Sequence, residues 1–145
     1  MNNGGFERVQ DDTRFAEAWR PHSWGDRVSP YSVRIDRTYA HNGEHSLAVR
    51  AAKSASRPGA FASVVLQPGT YELSFWAVTD VDKEAAVGGH VCGEAIPTRS
   101  IGDEWQRVVA VVEIEKTAGG QSIGLWVDSP MVRVWFDDVD LRRVE

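Results

Sequence analysis

The sequence predicts an all-β fold: a two-sheet antiparallel β-sandwich of roughly eight to ten short strands. Three observations carry this. Apolar residues recur with period two through one run after another, turn-forming residues break the runs at short intervals, and only the segment from Asp12 to Trp19 has helical spacing. A helix or a sheet that buries one face needs a partner layer, and many short strands find it in a second sheet.

Taken in order, Phe15, Ala16, Ala18 and Trp19 give Asp12–Trp19 its helical look, short enough for a single turn or a loop. Trp24 and Tyr31 fall in a loop region before a strand that starts near Val33. Asn42-Gly43 marks a turn, and Leu47 and Val49 alternate within a strand over Ser46–Arg50. Phe61–Leu66 and Thr70–Val78 flank Gln67-Pro68-Gly69, which predicts a hairpin because proline presets one turn angle and glycine supplies the other. In the second of these strands Tyr71, Leu73, Phe75 and Ala77 share a face. Gly88-Gly89, Gly102-Asp103 and Gly119-Gly120 read as further turns. Gln106–Glu115 puts Val108, Ala110, Val112 and Ile114 inward and leaves Val109 and Val111 outward. Ser122–Asp128 buries Ile123, Leu125 and Val127 with Trp126 outward, and a last strand runs from about Val132 to Leu141. No internal repeat, linker or low-complexity stretch interrupts residues 1–145, so one domain is expected.

Composition narrows the function. Hydrophobic residues make up 42% and charged residues 26%, ordinary globular usage that argues against disorder. The net charge of −5 is spread without basic runs, so nucleic acid is not the expected partner. No apolar stretch approaches the length of a membrane-spanning helix, and the polar start Met1-Asn2-Asn3-Gly4-Gly5 does not read as an export signal. On that ground a module taken from a secreted enzyme, hence extracellular, and a protein used without secretion are both expected contexts. The lone Cys92 allows no intrachain disulfide, and the core alone must hold the fold.

Several fragments, in order, carry a resemblance: Asn3-Gly4-Gly5-Phe6-Glu7, Trp19, His41-Asn42-Gly43-Glu44-His45-Ser46-Leu47, Pro68 to Ala77, Glu104-Trp105-Gln106-Arg107, and Trp135 to Leu141. Together the chain resembles the jelly-roll, galactose-binding-like carbohydrate-binding modules grouped as families four, nine and twenty-two. The resemblance implies a structural calcium ion where the first and last strands meet. Its ligands would be the carboxylates of Glu7 and Asp137, with backbone carbonyls near Gly5, His41 and Glu44. Alternation puts Asp137 on the core face with Val139 and Leu141, where a carboxylate needs a partner; the competing reading is an edge charge paired with arginine or water.

The same resemblance implies a concave sheet that binds glycan chains. Six tryptophans form a surplus that fits such a site, because sugar rings stack their apolar faces on aromatic planes. Trp76 and Trp126, both outward on their strands, are the expected platform, with Trp24 and Tyr31 as one wall and Arg133, Glu72 and His90 as polar neighbours. Each outward tryptophan is equally well explained as covered by a loop or a neighbouring subunit. Trp19 and Trp105 are expected to pack at the sandwich ends.

Catalysis finds no footing. Asp137-Asp138 are strand neighbours aimed at opposite faces, which does not make a glycosidase pair, and no nucleophile elbow or phosphate loop occurs. His41-Asn42-Gly43-Glu44-His45 matches a zinc-peptidase spacing, but that pattern works only on a helix and Asn-Gly favours a turn. The expected function is therefore non-catalytic binding of a polysaccharide or glycan. The alternative is a structural protein of the same fold, such as a phage capsid decoration or tail adhesion protein on a virion surface. There the outward valines would be buried in a homo-oligomer or against capsid or tail proteins.

Overall fold

The computed structural model describes residues 4–6, 19–24, 31–37, 39–51, 57–115 and 118–144. Ten strands follow one another: β1 (Trp19–Ser23), β2 (Tyr31–Asp36), β3 (Ser46–Ala51), β4 (Pro58–Leu66), β5 (Gly69–Thr79), β6 (Ala85–Val91), β7 (Glu94–Ile101), β8 (Gln106–Ile114), β9 (Ala118–Val127) and β10 (Val132–Arg143). They form two five-stranded sheets, β1-β4-β9-β6-β7 and β2-β3-β10-β5-β8, whose paired strands all run antiparallel. The inner faces close on one cluster that includes Leu47 and Val49, Leu73 and Phe75, Val108 and Val112, and Ile123 and Leu125. This is the two-sheet sandwich that the period-two runs predict.

Several local expectations change. Trp19 opens β1, so the helical spacing does not extend to it; Asp12–Ala18 lie outside the described residues. Tyr31 begins β2 rather than sitting in a loop. Gln67-Pro68-Gly69 does turn the chain, but β4 and β5 belong to opposite sheets, so the turn is a crossing and not a hairpin. Gly88-Gly89 and Gly119-Gly120 lie inside β6 and β9. The tight hairpin falls instead at Cys92-Gly93, where both residues take positive φ (50° and 86°), as a twist-matched two-residue turn requires.

The decisive irregularity is in β10. Val132, Val134 and Phe136 face the core, and so does Val139, which strict alternation forbids. A β-bulge between Asp137 and Asp140 supplies the odd residue, with Asp138 at φ 49°. Asp137 therefore shares its face with Trp135, on the outer side of the sheet, and not with Val139 as alternation predicts.

It is nonetheless fully buried, because the segment between β2 and β3 folds over it. The backbone amides of His41 and Asn42 donate to Asp137 Oδ2 at 2.9 and 3.0 Å, and the Asp138 amide donates to Oδ1 at 2.8 Å. Asp138 Oδ2 holds His41 Nδ1 at 2.7 Å. Burying a lone carboxylate costs several kcal/mol, and three charge-assisted amide bonds at roughly 1.5–3 kcal/mol each offset most of that. The offset is incomplete: burial, with the Asp138 charge, raises the Asp137 pKa from 3.8 to about 6.

A raised folded-state pKa means the folded protein binds the proton more tightly than the unfolded chain. Its stabilising contribution is complete below the unfolded value and lost as pH climbs through about 6. With chelator present, the stability difference between wild type and Asp137→Asn should therefore shrink between about pH 4 and pH 7. It should be about 1–3 kcal/mol at the acid end, where Asn offers the amides one fewer acceptor. Chemical denaturation across that range checks this; a difference that grows with pH contradicts it.

Candidate glycan-binding face

The closed face comes first, because it removes candidates. On the outer side of β2-β3-β10-β5-β8, Asp137 stands opposite Trp76 and Trp76 opposite Arg107. The His41 ring, fixed by Asp138, stacks on Trp76 with centroids 4.1 Å apart and planes 15° apart. Tyr39 from the same segment stacks on Trp105 (5.5 Å, 25°) and meets Trp135 edge-on at 5.0 Å. Trp135 Nε1 donates to Asp36 Oδ2 at 2.8 Å. Trp76 is thus a packing residue under a loop, and so are Trp105 and Trp135. His41 to Glu44 form a bend and not a helix, which removes the peptidase spacing. Trp19 is buried against Phe6.

The other outer face is built differently. Three strands carry a glycine two residues before a ring: Gly59-Ala60-Phe61 on β4, Gly88-Gly89-His90 on β6 and Gly124-Leu125-Trp126 on β9. The spacing of two keeps each pair on one face. Antiparallel register then interleaves them: Trp126 lies between Gly59 and Gly88, and Gly124 lies between Phe61 and His90. The result is a checkerboard in which every ring has a glycine beside it. A Cβ at Gly88 would come 2.6 Å from Trp126 Nε1, and one at Gly124 would come 2.7 Å from both His90 Nε2 and Trp24 Cζ2. The rings therefore lie down over the bare backbone instead of standing up from it.

His22 and Trp24 complete the platform from the β1 side. Trp24 touches Trp126 (centroids 5.1 Å) and His90 (5.7 Å), while His22 meets Trp24 (4.6 Å) and Phe61 (5.8 Å) edge-on. His90 and Trp126 stack at 5.9 Å with planes 27° apart. All five rings are half-buried. Burial, and then the nearby His22, lower the His90 pKa, so His90 is a neutral ring at pH 7. The Gly93 amide donates to His90 Nδ1 at 3.4 Å, which leaves the proton on Nε2. At one end, Arg57 Nε and Asp128 Oδ1 pair at 3.3 Å, and the Trp24 amide donates to the Arg57 carbonyl at 3.1 Å. An apolar platform with a polar rim at one end can take the face of a sugar ring and hydrogen-bond its hydroxyls.

Of the residues expected to share a groove, the structure brings together Trp24 and Trp126. It places Trp76, Arg133 and the Tyr31 backbone on the opposite sheet, so Trp76 and Trp126 form no common platform; the Tyr31 side chain, expected as a wall beside Trp24, lies outside what the structure describes. The cause is topological: outward on a strand says nothing about which sheet the strand joins. Sequence reasoning missed His22 and Phe61. The thrice-repeated glycine-x-ring spacing is the signal that finds the face.

Of the residues implied as calcium ligands, Gly5, His41, Glu44 and Asp137 are among the described residues. Asp137 is a fully buried carboxylate with no cationic side chain within ion-pair distance among the described residues, and Oδ1 accepts one amide only. The Val139 amide donates to the Gly4 carbonyl at 2.9 Å, so the segment around Gly5 runs beside the bulge, as the His41–Glu44 bend does. A desolvated carboxylate suits a hard cation, but the groups shown against Asp137 are amide donors, and among the described residues no three His, Cys, Asp or Glu side chains converge there. Glu7 lies outside the described residues.

No family model and no curated protein matches the sequence. The fold does have likenesses among solved structures. The CBM22-1 xylan-binding domain of Paenibacillus barcinonensis Xyn10C superposes with a TM-score of 0.72 over 98% of this chain and 92% of that one, at 16% identity. TmCBM61, solved in complex with β-1,4-galactotriose, gives 0.61 over 99% and 97% at 21% identity. The enzymatically active domain of bacteriophage CBA120 tailspike protein 4 gives 0.62 at 14% identity, and the match spans 21% of that chain. The chain has the jelly-roll β-sandwich of the carbohydrate-binding modules.

Proposed function

We propose that the chain is a non-catalytic glycan-binding module whose site is the outer face of β1-β4-β9-β6-β7, with Trp24 and Trp126 as stacking rings. The observation that carries this is the checkerboard. Gly88 and Gly124 give up side chains to make room for the rings of Trp126, His90 and Trp24, and Gly59 lets β4 approach the β9 backbone beside Trp126, although glycine inside a strand costs stability. A flat, half-buried ring surface is what a sugar face needs. The likeness in fold to a xylan-binding domain and to a module bound to a galactotriose supports the same reading. Cleavage of a glycosidic bond needs two carboxyls across one bond; β1, β4, β6 and β9 carry none, β7 carries only Glu94 at its start, and Asp128, just beyond β9, is tied to Arg57.

Affinity electrophoresis against soluble neutral β-glycans tests this. One glycan should retard the wild type, and Trp126→Ala or Trp24→Ala should weaken retardation at least about tenfold, since a lost ring contact removes on the order of 1.5 kcal/mol. The second reading is a structural or adhesion protein, favoured by Val111, 60% exposed on the sheet-edge strand β8. Absence of retardation by every glycan, together with an oligomer on a sizing column, would turn the account to it.

A structural Ca²⁺ at Asp137 belongs to the proposal. Asp137, Glu7 and carbonyls near Gly5, His41 and Glu44 would hold it, tying the first and last segments together and supplying the charge that the buried carboxylate lacks. Thermal unfolding should then occur several degrees higher in millimolar Ca²⁺ than in chelator, and Asp137→Asn should abolish the difference. Equal midpoints for the wild type contradict it.

A further inference from the structure

Arg50 on β3 and Arg133 on β10 are direct cross-strand partners on the outer face of β2-β3-β10-β5-β8. Like charges placed opposite each other on antiparallel strands destabilise the pair. Native sheets usually relieve such a pair with a carboxylate, and none of the described residues does so here. Among the described residues neither guanidinium makes an ion pair; Arg133 sits only over the Trp135 ring, 5.8 Å from its centroid. Arg34 stands one strand further out, opposite Ala48, and is likewise unpaired. Arg50 and Arg133 line a cavity of about 520 Å³ at the end of β3 and β10, with Lys83 and Asp80 from the turn after β5 and with Met131. Lys83 is held there by the Met131 carbonyl at 3.1 Å and by Asp80 at 3.6 Å.

Three cations against one acid leave this cavity positive on a chain whose net charge is −5. A local rule broken without internal compensation marks a site that something else completes. We propose that this cavity is a second binding site, for the carboxylate of a uronic-acid residue in an acidic polysaccharide, on the sheet opposite the Trp24–Trp126 platform. Guanidinium forks match a carboxylate in two-point geometry, and the Trp135 ring beneath Arg133 supports its guanidinium. The net charge of −5 disfavours nucleic acid, which binds through an extended basic face, whereas a carboxylate needs only the local guanidinium pair. This rests on the glycan-binding reading for its ligand class and on the arginine pair for its location.

The test is affinity electrophoresis of the full chain in polygalacturonate, with a neutral β-glycan and a short single-stranded DNA as parallel arms. Wild type, Trp126→Ala and the double variant Arg50→Gln/Arg133→Gln are compared, with thermal unfolding of each. Polygalacturonate should retard the wild type and Trp126→Ala alike. Retardation should fall about tenfold or more in the double variant and should weaken as salt rises. The double variant should unfold at the same temperature as the wild type or higher, because the like-charge contact is relieved, so a folding defect cannot mimic the loss. No retardation by polygalacturonate, retardation unchanged in the double variant, or tighter arginine-dependent binding of DNA would each overturn this site. None of those results touches neutral-glycan binding through Trp126, whose own loss in Trp126→Ala is read in the neutral arm.

Discussion

The capture of two backbone amides by the Asp137 carboxylate is the constraint on which the arrangement of both faces depends. The bulge at Asp137–Asp140 turns that carboxylate to the outside of its sheet, and the His41–Asn42 amides bury it again. Asp138, freed by the same bulge, fixes the His41 ring, and the ring seals Trp76. One irregularity of backbone register thus converts three tryptophans, Trp76 and Trp135 on that sheet and Trp105 just before β8, into the walls of a packed layer.

The opposite sheet spends its aromatics in another way. There the sequence deletes side chains, at Gly59, Gly88 and Gly124, where the first face adds a covering loop. The energetic logic differs accordingly. Tyr39 and His41 stabilise the closed face by burying ring area, which contributes to folding. Glycines inside β4, β6 and β9 work against strand stability, and flat half-buried rings are what the chain gains in exchange. His90, neutral because burial and His22 both disfavour its charge, belongs to this plane as an apolar plate with one donor. The cavity beside Arg50 and Arg133 is a third use of surface, in which charge is left uncompensated and ring area plays a minor part.

Most of the fold was legible because period two survives in β5, in β8 and along Ile123–Val127 of β9. Val108, Ala110, Val112 and Ile114 point inward as alternation requires, and so do Ile123, Leu125 and Val127. What alternation cannot encode is which sheet a strand joins and where a bulge resets the parity. That is why Trp76 and Trp126, equally outward on paper, lie on opposite sides of the sandwich, and why Asp137 faces away from Val139. Glycines misled for a related reason: Gly88-Gly89 has turn chemistry, yet within β6 its small size serves the Trp126 ring. Trp24, Trp126 and His90 were visible as candidates, whereas His22 and Phe61 required the register between β1 and β4.

The central claim is that one face is sealed by Asp137 and the other is the aromatic platform that receives a sugar. Proton–nitrogen correlation spectra of the indole groups, recorded while a retarding neutral oligosaccharide is titrated in, test it most directly. The account predicts that the Trp24 and Trp126 signals move toward saturation together while those of Trp76, Trp105 and Trp135 stay in place. Movement of Trp76 with Trp24 and Trp126 unmoved would contradict it.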